Sequence, residues 1–178
     1  MATWITLLRG VNVGGKNKLP MKALREAMEG SLGYTDVRTH IQSGNIVYES
    51  KARGAVSCSK AIAALLASDF GIDTYALTLS VASFRKVLDA SPFPAKAEPK
   101  SVHIAFLDAP SKVDPADLDA VTATDETWHL TKQAFYLHAP SGVARSKLVQ
   151  KLDRLLGVGV TARNLNSATK ILELAEGA

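Results

Sequence analysis

The chain has a single cysteine, Cys58, in 178 residues. One thiol excludes a disulfide framework and any cysteine-based zinc knuckle. Aromatic residues make up only 6%. No apolar run approaches the roughly 20 residues that a membrane-spanning helix needs. The opening segment, MATWITLLRG, has neither a basic leader nor a cleavage site and reads as a buried strand, not a signal peptide. These absences point to a cytoplasmic protein with no membrane partner. Metal chemistry is equally thin. His40, His103, His129 and His138 stand at no metal-ligand spacing, and neither H-E-x-x-H nor the G-x-S-x-G elbow occurs. Asp114, Asp117 and Asp119 lack the central glycine and terminal glutamate of a calcium loop and suit the first turn of a helix. No metal and no cofactor are therefore expected.

What is present is an ordinary globule, 47% hydrophobic and 21% charged, with a mean hydropathy of +0.05. Its length allows one domain or two small ones. The net charge of +4 is unevenly distributed. Residues 1–60 hold nine basic and four acidic residues, 98–126 hold two and seven, and 145–170 hold six and one. Two basic blocks brought together would form one surface favouring phosphates or other anions; apart, they are solvated helix faces.

The order of elements repeats. Residues 4–8 form a short apolar strand, 10–20 a loop rich in Gly, Asn and Lys, and 20–32 a helix with Leu24, Ala27 and Met28 on one face, ended by Gly33. Residues 35–42 alternate as a half-exposed strand, with Val37, Thr39 and Ile41 on one side. A turn at Ser43-Gly44 returns the chain as a strand over 45–49. An Ala/Leu-rich helix at 56–69 and a strand at 73–80 complete a β-α-β-β-α-β unit. After a helix at 81–90, the second half offers a strand at 101–107, an acidic helix near 115–121, a hairpin of 126–131 with 134–139, and a helix at 145–156. No clear last strand follows; TARN at 161–164 leads into a helix to about 175. The expected class is α+β: two ferredoxin-like halves with antiparallel sheets, the second modified and ending in helices. The division reads as 1–80, a helix and proline-rich linker over 81–99, and 100–178.

Topology places a site. In such a unit the loop after the first strand and the turn between the second and third lie on one edge of the sheet. Here these are Arg9 to Asn17 and Gln42 to Asn45. Arg9, Asn12, Lys16, Gln42, Ser43 and Asn45 donate hydrogen bonds, and Gly14, Gly15 and Gly44 let backbone N–H groups approach a ligand. The same glycines also suit plain turns, and the amides suit capping. Gly10 to Asn17, GVNVGGKN, nearly matches the phosphate loop G-x-x-x-x-G-K-[ST]. However, Asn17 replaces the hydroxyl, and three residues intervene before Pro20. A nucleotide hydrolase is not expected. Cys58 reads as a packed small hydrophobe, and His40 as a sheet-surface residue. Near the end, SGVARSK (141–147) and TARNLNS (161–167) each precede a helix. Asn164 or Ser167 would be N-caps. Arg163, flanked by amides at a helix N-terminus, is well placed to hold an anion.

Taken together, LLRGVNVGGKNKLPMKALR (7–25), IQSGNIVY (41–48), SPFPAKAEPKSVHIAFL (91–107), SGVARSKL (141–148) and TARNLNSATKILEL (161–174) resemble the bacterial family called domain of unknown function 1697. The resemblance spans essentially the whole chain. It implies a two-part α+β structure and no established reaction. It singles out Arg9, Asn12, Gly14, Gly15, Gln42, Ser43, Gly44, Asn45, Lys147, Arg163, Asn164 and Asn166. The family typically has Thr at the position of Ser167 and often an aromatic at that of Leu165.

The functional expectation is an uncharacterised protein that binds an anionic ligand, either a phosphate-containing small molecule or nucleic acid. The 9–17 loop, the 42–45 turn and the 161–167 segment would form the site, with Lys16 and Lys147 contributing. The protein would be a monomer or weak homodimer. Two alternatives stand beside it. One is a small enzyme acting on a phosphorylated or carboxylated metabolite, with His40 or Lys147 as the only candidate bases. The other is that the motif loops simply lock the two halves together.

Overall fold

A computed structural model of the protein describes residues 1–93 and 97–177. Residues 94–96, within the expected proline-rich linker, and residue 178 lie outside the described residues. The chain divides into two compact units, Met1–Lys86 with Thr169–Ala178, and Val87–Ala168.

The first unit opens with β1 (Ala2–Leu8), α1 (Met21–Leu32), β2 (Thr35–His40), β3 (Asn45–Ser50), α2 (Ala55–Phe70) and β4 (Ala76–Ser80). Helix α1 starts behind Pro20, which is extended, and stops where Gly33 takes the left-handed conformation with φ 64°. It buries Met21, Leu24 and Met28, the three-and-four spacing of an amphipathic helix. Helix α2 ends in the same way at Gly71 and buries Cys58, Ile62, Leu65 and Leu66. The sheet runs β2-β3-β1-β4, all neighbours antiparallel. Leu8, Ile46, Tyr48 and Ala76 from the strands join these helix residues in one core. Within it Thr6 Oγ1 shares hydrogen bonds with Tyr48 Oη (3.0 Å) and Thr78 Oγ1 (2.7 Å). Tyr34 stacks flat on Tyr48 at 4.7 Å between ring centroids.

The second unit carries the rest of the series: β5 (Val102–Leu107), α4 (Pro115–Asp119), β6 (Thr127–Leu130), β7 (Ala134–His138), α5 (Lys147–Leu156) and β8 (Val160–Asn164). Helix α3 (Val81–Asp89) and helix α6 (Leu165–Ala175) each run across the division between the units. The second sheet is β6-β7-β5-β8, again wholly antiparallel. One face, with Ala105, Leu107, Phe135 and Leu137, packs on Leu118 of α4 and Leu148, Leu152 and Leu156 of α5. Asp114 caps α4, accepting from the Ala116 N–H at 2.9 Å, with Pro115 in its first turn. Each unit thus has four strands in the order second-third-first-fourth, which is compatible with the ferredoxin-like arrangement.

Two expectations need correction. A last strand does exist in the second half: TARN belongs to β8, paired to β5 from His103↔Asn164 to Leu107↔Val160. Its apolar signal is short because Thr161 and Arg163 occupy one face and only Val160 and Ala162 the other. Ile41 is also outside β2. It takes φ 50° and is 52% exposed, because the chain is already turning. The register also slips between Thr35 and Arg38, where Asp36 adopts φ 50°.

Candidate functional site

The end of β1, the β2–β3 turn and the start of β4 are tied together by backbone. The Leu8 N–H donates to the Gly44 carbonyl at 2.8 Å, and the Arg9 N–H to the Tyr75 carbonyl at 3.0 Å. The Thr74 hydroxyl donates to the Arg9 carbonyl. The antiparallel order brings these three segments to one edge, so the 9–17 loop and the 42–45 turn meet as the topology requires.

The loop between them is a small hairpin. Val13 and Lys16 form a bridge, with the Lys16 N–H on the Val13 carbonyl at 3.1 Å, and the Asn12 N–H reaches the Asn17 carbonyl at 3.1 Å. At its tip Gly14 and Gly15 take φ 59° and 75°. Two successive positive values define the primed turn that matches strand twist, and only glycine takes them without strain. Asn12 and Asn17, at φ 54° and 48°, are also left-handed, a conformation asparagine tolerates better than most residues. Their side chains bond to backbone. Asn12 Nδ2 donates to the Leu19 carbonyl (2.9 Å) and the Gln42 carbonyl (2.7 Å), while its Oδ1 accepts from the Leu19 N–H at 2.8 Å. Asn17 Nδ2 donates to the Gly10 carbonyl at 3.0 Å.

The turn is built the same way. Asn45 is buried, and its Nδ2 closes the turn on the His40 carbonyl at 3.0 Å. Gly44, at φ 72°, lies so close to β1 that a Cβ there would stand 2.6 Å from Leu8 Cβ and 2.7 Å from Val11 Cγ2. Asn12, Asn45 and Gly44 are therefore structural members of the edge. Arg9, Lys16, Lys18 and Gln42 are exposed on it, with Asp73 near the start of β4 also exposed. Ser43 is half-buried. Lys16 lies in the hairpin and α1 begins only at Met21, unlike the helix-borne lysine of a phosphate loop.

The other expected site residues belong to the second unit. Lys147 is exposed at the first position of α5, behind Ser146, whose side chain accepts from the Val149 N–H at 3.1 Å. Arg163 is half-buried in β8 and donates from Nη1 to Thr161 Oγ1 (3.1 Å) and the Ala162 carbonyl (2.7 Å). Burial lowers its guanidinium to about 10, which still leaves it charged at neutral pH. It lies in β8, two residues before α6 begins. Asn164 is the cap of α6, its Oδ1 accepting from the Ser167 N–H at 2.8 Å. Asn166 is exposed. His40 is half-buried at the end of β2, and Cys58 of α2 is fully buried in the core beside the Tyr34 and Tyr48 side chains.

Charge separates the units. The first holds 12 basic and eight acidic residues, and the second nine of each. The acidic 98–126 block neutralises the second unit's share of basic residues, and the net positive charge of the protein falls on the first. Sequence reasoning missed this balance and also the hairpin. The signal for the hairpin was the Gly-Gly pair itself, flanked by Val13 and Lys16 and, one step out, by two asparagines. Among the described residues no three His, Cys, Asp or Glu side chains gather as metal ligands would. Nor is any helix there long and apolar enough to cross a membrane.

No curated protein matches the chain. Among solved structures, the conserved bacterial protein SP0830 from Streptococcus pneumoniae is similar in fold. It has a TM-score of 0.72 at 22% identity, over 97% of this chain and 98% of that one. The family described as "Protein of unknown function (DUF1697)" matches residues 1–136, and with that match over most of its length the chain belongs to this family.

Proposed function

We propose that the protein binds a phosphate-bearing polyanion through the loop edge of its first unit. Arg9, Lys16 and Lys18 supply charge, and the Gln42 amide and the Gly14-Gly15 backbone supply hydrogen bonds. One observation carries the reading. A hairpin held by inward-bonded asparagines displays basic side chains at an exposed edge of the more positive unit. An exposed hairpin tip suits an extended phosphate backbone better than an enclosed metabolite. Recognition of bases by stacking on the sheet has little support here: Tyr48 is fully buried under Tyr34, so contact is with phosphate and not with base faces. The 161–167 segment takes no part, since Arg163 is engaged within β8 and Asn164 caps α6.

The test is fluorescence anisotropy of labelled mixed-sequence single-stranded RNA over a salt series. Three phosphate contacts predict a log–log slope of roughly −2. Arg9→Ala and Lys16→Ala should each reduce the slope by about 0.7, and Lys16→Ala should leave the melting temperature unchanged. No binding at low salt to RNA, DNA or inorganic polyphosphate would overturn the proposal.

A second reading has its own support. The motif loops act as a structural brace of the first unit's sheet edge, as the Asn12, Gly44 and Asn45 contacts favour. It predicts loss of stability on changing those three residues and no ligand effect from Lys16→Ala.

A further inference from the structure

We propose that the space between α5 and the sheet of the second unit is a binding site for a small apolar molecule carrying one hydroxyl, about the size of phenol. The space arises from residue size. Ala105 on β5 and Ala162 on β8 are paired directly across the sheet, and both belong to the face turned toward the helices. Two methyl groups stand where the neighbouring strand carries Phe135 and Leu137. Above them α5 brings Val149 and Leu152. The result is a cavity of about 150 Å³ lined by these side chains. Protein interiors pack with few voids larger than a water molecule. A space of this volume has room for a benzene-sized guest of roughly six non-hydrogen atoms.

The lining has one titratable member, His103, two residues before Ala105 on the same face of β5. It is half-buried, and Ala162 is exposed, so the cavity opens toward these two residues. The imidazole bonds to the Lys100 backbone, and burial lowers its pKa below the ordinary 6.5. The ring is therefore neutral at pH 7. With one nitrogen donating to a carbonyl, the other is a hydrogen-bond acceptor. An apolar chamber with a single acceptor calls for an apolar guest with a single donor. This rests on observations independent of the loop edge of the first unit, so either proposal can fail alone.

The experiment titrates the full chain with phenol and, separately, with benzene, following the methyl resonances of Ala105, Val149 and Leu152 by NMR. Phenol should give saturable shifts, with benzene roughly tenfold weaker for want of the hydroxyl. Ala162→Leu, which fills the cavity, should abolish the shifts while the protein stays folded by circular dichroism. His103→Phe should bring the two ligands to within about twofold of one another. The proposal is overturned by an absence of shifts up to about 10 mM phenol, by equal affinity for phenol and benzene, or by binding that survives in folded A162L. Should A162L fail to fold, H103F decides alone, and an unchanged preference for phenol there overturns it.

Discussion

At Gly44 and Gly10 the same substitution meets two different physical situations. Both residues are left-handed, at φ 72° and 63°, but a Cβ at Gly44 would collide with Leu8 and Val11, whereas nothing lies within 4 Å of one at Gly10. Gly10→Ala therefore incurs only the torsional penalty, about 1 kcal/mol. Gly44→Ala adds overpacking against β1 and should cost about 3 kcal/mol or more. Urea denaturation of the two variants measures the difference; equal losses would show that the close approach of turn and strand contributes nothing. Such roles were only partly legible in the sequence. Glycine and asparagine mark a turn or a ligand loop equally well, and the distinction lies in where each amide points. Asn12 and Asn45 point at backbone carbonyls, and no sequence pattern carries that information. Arg163 illustrates the converse. Its place beside Asn164 and a helix start suggested an open cation, but strand pairing to Ile104 holds it at the sheet, where Thr161 and a carbonyl engage it.

The element that organises the edge is the hairpin around Gly14-Gly15, and Asn12 is its anchor. Asn12→Gly keeps the left-handed backbone accessible and removes three side-chain hydrogen bonds. One of them satisfies the N–H of Leu19, a residue only 1% exposed. The expected loss is about 1–3 kcal/mol, with faster amide exchange at Leu19 and Lys16. Unchanged exchange at Leu19 would mean that the anchor is elsewhere. Most elements could be read from apolar spacing and helix stops, since α1 and α2 end at Gly33 and Gly71 and the hairpin of β6 and β7 lies within its expected bounds. Strand β8 could not. It is five residues long, polar on one face, and passes directly into α6, so neither an alternating apolar pattern nor a turn announces it. Helix α5 shows what a clear signal looks like, with Leu148, Leu152 and Leu156 buried and Ser146 capping. Ser146→Ala should lower stability by about 1 kcal/mol in thermal or chemical melts.

For the whole molecule, the stacked Tyr34–Tyr48 pair makes stability depend on alkaline pH. Burial raises the Tyr34 phenol from 10.0 to about 12, and Tyr48 is raised as well. A folded-state value above the unfolded one means that the folded protein retains protons the unfolded chain gives up. The associated stability is complete below about pH 10 and is lost as pH climbs toward 12. Urea midpoints should fall between about pH 10 and pH 12, and Tyr34→Phe should flatten that fall. A slope identical to the unmodified protein would remove Tyr34 as its cause. Net charge also belongs to this scale. Its placement on the first unit emerged only once the 98–126 and 145–168 stretches were known to share one unit. That unit is assembled from two separated pieces, Met1–Lys86 and Thr169–Ala178, with the Arg85 guanidinium on α3 joined to the Glu176 carboxylate beyond α6. On the ribosome, the first of these pieces must therefore wait for the 82 intervening residues before the second emerges, an interval on the order of ten seconds at ordinary elongation rates. During that interval the nascent chain carries an incomplete first unit, and chaperones have their longest access to it then.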